Sequence, residues 1–245
     1  MRVAFFVTCL MDQFFAEAAL DTYRLLKSLG LEVDFPKSQT CCGQPAYNAG
    51  YQEPALVMAR HTIGVLDNYE YVVIPSGSCT TMVRKFYLEL FRESPREFAR
   101  ASDLATRTYE LAEFLVEVLE IHDLGQGLSG KEVAYHQGCH ALRELGIRNA
   151  PQQLLQNSGL SLINWPAEQD CCGFGGLFAA KLPVVSVAMA DQKISDLAPG
   201  TLLTSADAGC LLQLSARAHQ TKSELRFLPL ASLLWQIRKS SLGLV

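Results

Sequence analysis

The chain has 245 residues, 49% of them hydrophobic and 19% charged, with a formal net charge of −4. That length and composition suit one large globular domain or two smaller ones around a substantial core. The weak negative charge leaves no general footprint for nucleic acid, and no apolar run approaches the ~20 residues of a membrane-spanning helix.

The chain opens with "MRVAFFVTC", one basic residue before a short apolar run. The run is too short for an export signal and leads into polar sequence, so Val3–Val7 reads as a buried strand. Without a leader the expected location is cytoplasmic, where thiols stay reduced. Helical spacing covers Ala16–Leu29, with Gly30 as C-cap. Leu31–Phe35 is a second strand, stopped by Pro36. A helix over Pro54–Leu66 leads to a third strand at Tyr71–Ile74. Cys79 then opens a helix through Phe91, and "FRESPREFARASD" reads as an exposed loop and helix start. Beyond Gly125–Gly130 the order recurs. Lys131–Tyr135, Leu160–Asn164 and Thr201–Thr204 read as strands. Helices are expected near Asn149–Asn157 and across Leu182–Asp196.

The eight cysteines show why the order recurs. Cys9 and Cys41 have thirty-one residues between them, and so do Cys139 and Cys171. Thirty-six lie between Cys42 and Cys79, and thirty-seven between Cys172 and Cys210. Glycine follows each adjacent pair, as Gly43 and Gly173. "RVAFFVTC" matches "EVAYHQGC", and "YVVIPSGSC" matches "GTLLTSADAGC". An internal duplication follows, with units over residues 1–127 and 128–245. Alternating short strands and helices predict an α/β fold of two pseudo-symmetric Rossmann-like lobes with parallel sheets. Each cysteine or pair falls just past a predicted strand end, where ligands of such sheets bind.

Four gathered thiols suit an iron–sulfur cluster or a tetrahedral zinc. Zinc sites usually take ligands from tight C-x2-C turns, whereas these come from three separate strand ends. Buried structural cysteines and a disulfide relay are the remaining alternatives. Gly43 and Gly173 fit a tight turn whose backbone N–H groups could donate to cluster sulfurs.

The duplicated cysteine–cysteine–glycine pattern resembles the cysteine-rich CCG domain family over nearly the whole chain. That family includes the B subunit of heterodisulfide reductase and the iron–sulfur subunit of glycolate oxidase. The two-unit length without a ferredoxin-type section most resembles its lactate utilization protein A group. The resemblance implies an iron–sulfur subunit; with four thiols per unit the eight cysteines match one or two [4Fe–4S] clusters, and zinc is a possible substitute. It further implies electron transfer in L-lactate or related 2-hydroxy-acid oxidation, alongside a ferredoxin-type iron–sulfur subunit and a third lactate-utilization subunit. Any membrane association would be peripheral, through those partners.

The fullest family pattern ends in C-x-x-C, five cysteines per unit. Here Ser76 and Asp207 take the first place of that motif, which weakens a disulfide-reducing role and leaves four thiols per unit. Either residue could supply an oxygen ligand; a turn at Ser76 and a helix cap at Asp207 are the plainer expectations. His136 and His140 flank Cys139, where the first unit has Phe6 and Leu10, so the two sites are expected to differ. "GFGG" at Gly173–Gly176 lacks the strand and helix context of a nucleotide loop. Arg143 and Arg148 could attract a carboxylate or be solvated, and His61, His122 and His219 read as surface residues. No flavin or nicotinamide fingerprint is present.

Overall fold

The computed structural model describes residues 1–244. The first unit runs from β1 (Arg2–Phe5) through α1 (Cys9–Phe14) and α2 (Ala16–Ser28) to β2 (Glu32–Asp34). It continues through α3 (Gln44–Asn48) and α4 (Gln52–Leu66) to β3 (Tyr71–Ile74). A helix then begins as α5 (Gly77–Thr81), widens into a π-helical turn at Met82–Phe86 and ends as α6 (Tyr87–Leu90). After α7 (Pro95–Thr106) and β4 (Thr108–Glu110), α8 (Leu111–Glu113) passes into a second π-helical turn at Phe114–Val118.

The second unit repeats this plan. β5 (Glu132–Tyr135) is followed by a π-helical turn at His140–Glu144, α9 (Ala150–Asn157) and β6 (Ser161–Leu162). Next come α10 (Leu177–Lys181), α11 (Pro183–Ile194), β7 (Leu202–Ser205) and α12 (Ala208–Gln220). β8 (Arg226–Pro229) and α13 (Leu230–Ser241) close the unit. The strands form two four-stranded sheets in the orders β2-β1-β3-β4 and β6-β5-β7-β8, with every pairing parallel. The α/β duplication expected from the sequence is therefore present in the fold.

The alternation of side chains along each strand decides which core it feeds. Val3 and Phe5 point to one side of the first sheet, and Ala4 and Phe6 to the other. In the second sheet Val133 and Tyr135 point one way and Ala134 the other. The Val3–Phe5 and Val133–Tyr135 faces meet in one shared core with Leu25 and Leu26 of α2, Phe114–Val116, Leu154 and Leu155 of α9, and Leu233–Ile237 of α13. The exchange is reciprocal. α13 of the second unit packs along α2 of the first, and α8 of the first packs on α9 of the second. The units are two at the level of sheets and one at the level of this helical layer.

Four features depart from the expectations. β4 and β8 add a fourth strand to each sheet. "FRESPREFARASD" is largely helical, as α7, because Pro95 starts a turn from which Ala101 and Leu104 reach the core. Cys9 itself opens a short helix, capped by the Thr8 hydroxyl accepting from the Met11 N–H at 3.4 Å. The strand expected at Leu160–Asn164 shrinks to Ser161–Leu162. The other strands and helices that the spacing placed are present within a few residues, and the short helices α3 and α10 were not among them.

Candidate metal centres

All eight cysteines lie beyond the carboxyl ends of the parallel strands, as open α/β sheets place their ligand groups. Cys9 follows β1, Cys41 and Cys42 follow β2, and Cys79 sits in α5 after β3. Cys139, Cys171, Cys172 and Cys210 repeat this after β5, β6 and β7. None forms a disulfide. In the first unit the Cys9 and Cys41 sulfurs are 3.7 Å apart, and those of Cys42 and Cys79 are 3.4 Å apart. In the second, Cys172 and Cys210 are 3.0 Å apart, and Cys139 faces Cys171. Cys42, Cys79, Cys172 and Cys210 are buried, while Cys9, Cys41, Cys139 and Cys171 are half-buried. Each quartet therefore has a dry inner pair and a wetter outer pair.

The electrostatics repeat as well. The Cys41 thiol is held well below its ordinary value, chiefly by the Cys42 thiol and then Cys9 donating to it. Cys171 is held down in the same way, by Cys139 first and then Cys172. The donor thiols Cys9, Cys42, Cys139 and Cys172 are pushed up. Within each quartet the shifts favour the thiolate, the form that binds metal, at Cys41 and Cys171.

The glycines after the pairs have φ of +90° at Gly43 and +82° at Gly173, which side-chain-bearing residues rarely adopt. The turn brings the Gly173 N–H to 3.4 Å from the Cys171 sulfur, to which it donates. A Cβ on Gly173 would meet the Ser186 carbonyl oxygen at 2.5 Å, and one on Gly43 the Met58 side chain at 3.2 Å. Gly173→Ala is therefore expected to cost ~2 kcal/mol or more, from left-handed strain plus the overlap with backbone. It should strip the second unit's metal and leave the first unit's in place, read by metal analysis and urea unfolding. Full metal content in that variant would contradict this role for the turn.

The two quartets open onto one cavity of about 660 Å³ between the units, lined by seven of the eight cysteines. Leu10, Tyr51, Phe174 and Leu177 make much of the remaining wall apolar, and His140 lines it too. A larger cavity of about 890 Å³ lies at the opposite strand ends of the second sheet and holds no thiol. Size alone does not mark the site; the sulfurs do.

Ser76 and Asp207 stand between the units. The Ser76 hydroxyl caps α5 by accepting from the Cys79 N–H at 3.3 Å. Its own proton goes to Asp207 Oδ1 at 2.8 Å, which also accepts from the Ser78 N–H at 2.9 Å. Asp207 does not cap its own helix, as expected from the sequence; it caps α5 of the other unit. His140 also crosses over, with its Nε2 3.4 Å from Gln44 Nε2 and its Nδ1 3.7 Å from the Cys139 sulfur.

His136 is fully buried. Burial first, and the Lys193 cation second, lower its pKa to about 3, so the ring is neutral. Its Nε2 has no hydrogen-bond partner, and a nitrogen of the ring lies within 4.8 Å of the Cys172 and Cys210 sulfurs.

Lys193 went unrecognised in the sequence. Its ammonium donates to the Ala167 carbonyl and, at 3.3 Å, to the Glu168 carbonyl, and it lies 4.6 Å from the centre of the Trp165 ring. Burial lowers its pKa to about 8, against the pull of the Cys172 and Cys210 charges. Met189 contacts Gly173 as Met58 contacts Gly43, so Lys193 stands where the first unit has Thr62. A lone lysine on a helix reads as solvated, and only the repeat alignment carries a signal against that. Arg143 and Arg148 are exposed and do not line the cavity, and His61, His122 and His219 are exposed.

The donor chemistry fits both groups expected from the sequence. Four thiolates match the ligand set of a [4Fe–4S] cluster, and the shared cavity gives it room. Sulfurs 3.0–3.7 Å apart also approach the ~3.8 Å edge of a tetrahedron with metal–sulfur bonds of ~2.3 Å.

Twin parallel sheets with cysteine quartets at matching strand ends define a duplicated cysteine-rich α/β protein. The cysteine-rich domain called CCG matches the chain twice, over residues 3–84 and 133–215. Lactate utilization protein A 2 of Bacillus cereus is 44% identical over 237 residues, covering 96% of this chain and 98% of its own. Lactate utilization protein A of Geobacillus kaustophilus is 43% identical over the same shares. The chain belongs to the lactate utilization protein A family of CCG proteins.

Proposed function

We propose that this chain is the iron–sulfur electron-transfer subunit of a multi-protein system that oxidises L-lactate, or a similar 2-hydroxy acid such as glycolate, to the 2-oxo acid. The observation that carries the reading is the pair of thiol quartets opening on one cavity. The names of the relatives support a role in lactate utilization. In this reading residues 1–127 and 128–245 are the two cluster-binding units. Cys9, Cys41, Cys42 and Cys79 hold one [4Fe–4S] cluster, and Cys139, Cys171, Cys172 and Cys210 hold the other. A bound cluster supplies one-electron transfer. The chain itself supplies the thiolates, the Gly43 and Gly173 N–H groups beside them, and a largely apolar wall around them. It works in the cytoplasm with a ferredoxin-type iron–sulfur subunit and a third lactate-utilization subunit. No described helix is long and apolar enough to cross a membrane, and any membrane contact runs through those partners.

A second reading has its own observation. The close sulfur pairs suit single zinc ions, which would make the chain a zinc-bound scaffold for its partners. Disulfide reduction is disfavoured because Ser76 and Asp207 are tied to each other where a fifth thiol would stand.

The test is purification without oxygen, then counting iron, acid-labile sulfide and zinc per chain, with electron paramagnetic resonance after reduction. About four or eight irons with equal sulfide and a reducible signal support electron transfer. Zinc without sulfide, persisting after reconstitution with iron and sulfide, supports the scaffold instead. Cys41→Ser and Cys171→Ser are each expected to empty one unit and spare the other. Loss of both centres from either change would contradict two independent ligand sets.

A further inference from the structure

We infer that the second centre has a nitrogen donor: His136 Nε2 binds metal beside Cys172 and Cys210 as a fifth donor to the second quartet, so the chain carries one all-thiolate centre and one mixed sulfur–nitrogen centre.

The ring is held in one orientation and one tautomer. The His136 backbone N–H donates to the Thr204 carbonyl at 2.8 Å, and its carbonyl accepts from the Ser205 hydroxyl at 3.1 Å. Nδ1 lies 3.4 Å from the Glu168 carbonyl oxygen, which can only accept, so Nδ1 carries the proton. The bare lone pair is then on Nε2, which is buried and has no partner. A polar atom left in this state forfeits its hydration with nothing in return. The first unit avoids that cost with Phe6, equally buried, at the matching position. A histidine here is explained if a ligand occupies the lone pair. A ring nitrogen of His136 and the Cys172 and Cys210 sulfurs lie within 4.8 Å of one another, and all three residues are buried; with Nδ1 turned to the Glu168 carbonyl, Nε2 is the nitrogen left to bind. An imidazole whose other nitrogen donates to a backbone carbonyl is the usual arrangement of a metal-binding histidine. Imidazole with thiolates suits iron or zinc.

This inference rests on the proposal that the quartets bind metal, but not on which metal. The full chain, labelled with 15N-histidine and purified without oxygen, is loaded with iron and sulfide and then reduced. Pulsed electron paramagnetic resonance is expected to show a nitrogen directly coupled to one centre. The coupling should vanish in His136→Phe, which installs the first unit's own residue, and persist in His140→Phe. If His136→Phe does not fold, His136→Cys serves: it should keep the metal and lose the nitrogen. An iron-loaded chain with no coupled nitrogen, or with coupling that survives both His136 variants, overturns the inference and leaves electron transfer standing. A chain that takes only zinc removes the electron-transfer reading, and X-ray absorption then decides this one. A nitrogen shell at ~2.0–2.1 Å, lost in the His136 variants, supports it, and a shell of sulfur alone overturns it. A chain that binds neither metal overturns both.

Discussion

Asp207→Ala is expected to destabilise the chain by about 3 kcal/mol, the sum of two hydrogen bonds to a charged acceptor at ~1.5 kcal/mol or more each. Those bonds come from Ser76 Oγ and the Ser78 N–H, both in the other unit. Removing a buried carboxylate also relieves a desolvation cost, which works the other way. The losses should win, because the donors already solvate the charge and the variant strands the Ser78 N–H. Asp207→Asn keeps the acceptor oxygen and should lose ~1 kcal/mol or less. Urea unfolding of the full chain reads this as a shift in midpoint at constant slope. An Asp207→Ala midpoint equal to that of the parent would remove Asp207 as the pin between the units.

The second large effect is a pH dependence. Glu110 caps α8 through one oxygen, which accepts from the Ala112 and Glu113 N–H groups at 2.7 and 3.3 Å. Its other oxygen is buried without a partner. Burial pushes its pKa from the ordinary 4.5 up to about 8; the two capping bonds oppose the rise, and the charges of Glu113 and Asp207 add to it. Folded chains therefore hold the proton up to about pH 8, while unfolded chains release it near 4.5. Between those values the folded state binds more protons, so stability falls as pH rises, by at most ~1.4 kcal/mol per pH unit. Glu110→Gln keeps the capping oxygen and has no proton to lose. Relative to the parent it should gain on the order of 2 kcal/mol between pH 6 and pH 8. Lys193, His136 and the cysteines titrate in both proteins, so the difference isolates Glu110. A stability difference that is constant across pH would show that Glu110 is ionised in the fold.

The cysteine quartets were legible because a duplicated spacing is a one-dimensional signal. Their placement past the strand ends and the tight turn at each following glycine were read from it; which thiols of each quartet are buried was not. β1 and β3 were legible because Val3–Phe5 and Val72–Ile74 are buried apolar runs. β4 and β8 were not. Thr108–Glu110 and Arg226–Pro229 are short, partly polar and run straight into helices, so periodicity never registers. The meeting of the two quartets was also hidden. It depends on how the inner sheet faces share a helical layer, and nothing local in "SADAGC" says that Asp207 reaches Ser76 across that junction.

The crossed packing of α13 on α2, and of α8 on α9, has a consequence for ancestry and for engineering. Each half gives its last helix to its sibling, as two identical protomers do across a two-fold axis. The chain is in effect a fused homodimer, joined by the glycine-bearing loop near Gly125–Gly130. Severed at that loop, neither fragment could cover its own apolar flank. The pieces should remain insoluble alone and reassemble when co-expressed, and a tandem copy of either half is the minimal single-chain descendant of such a dimer.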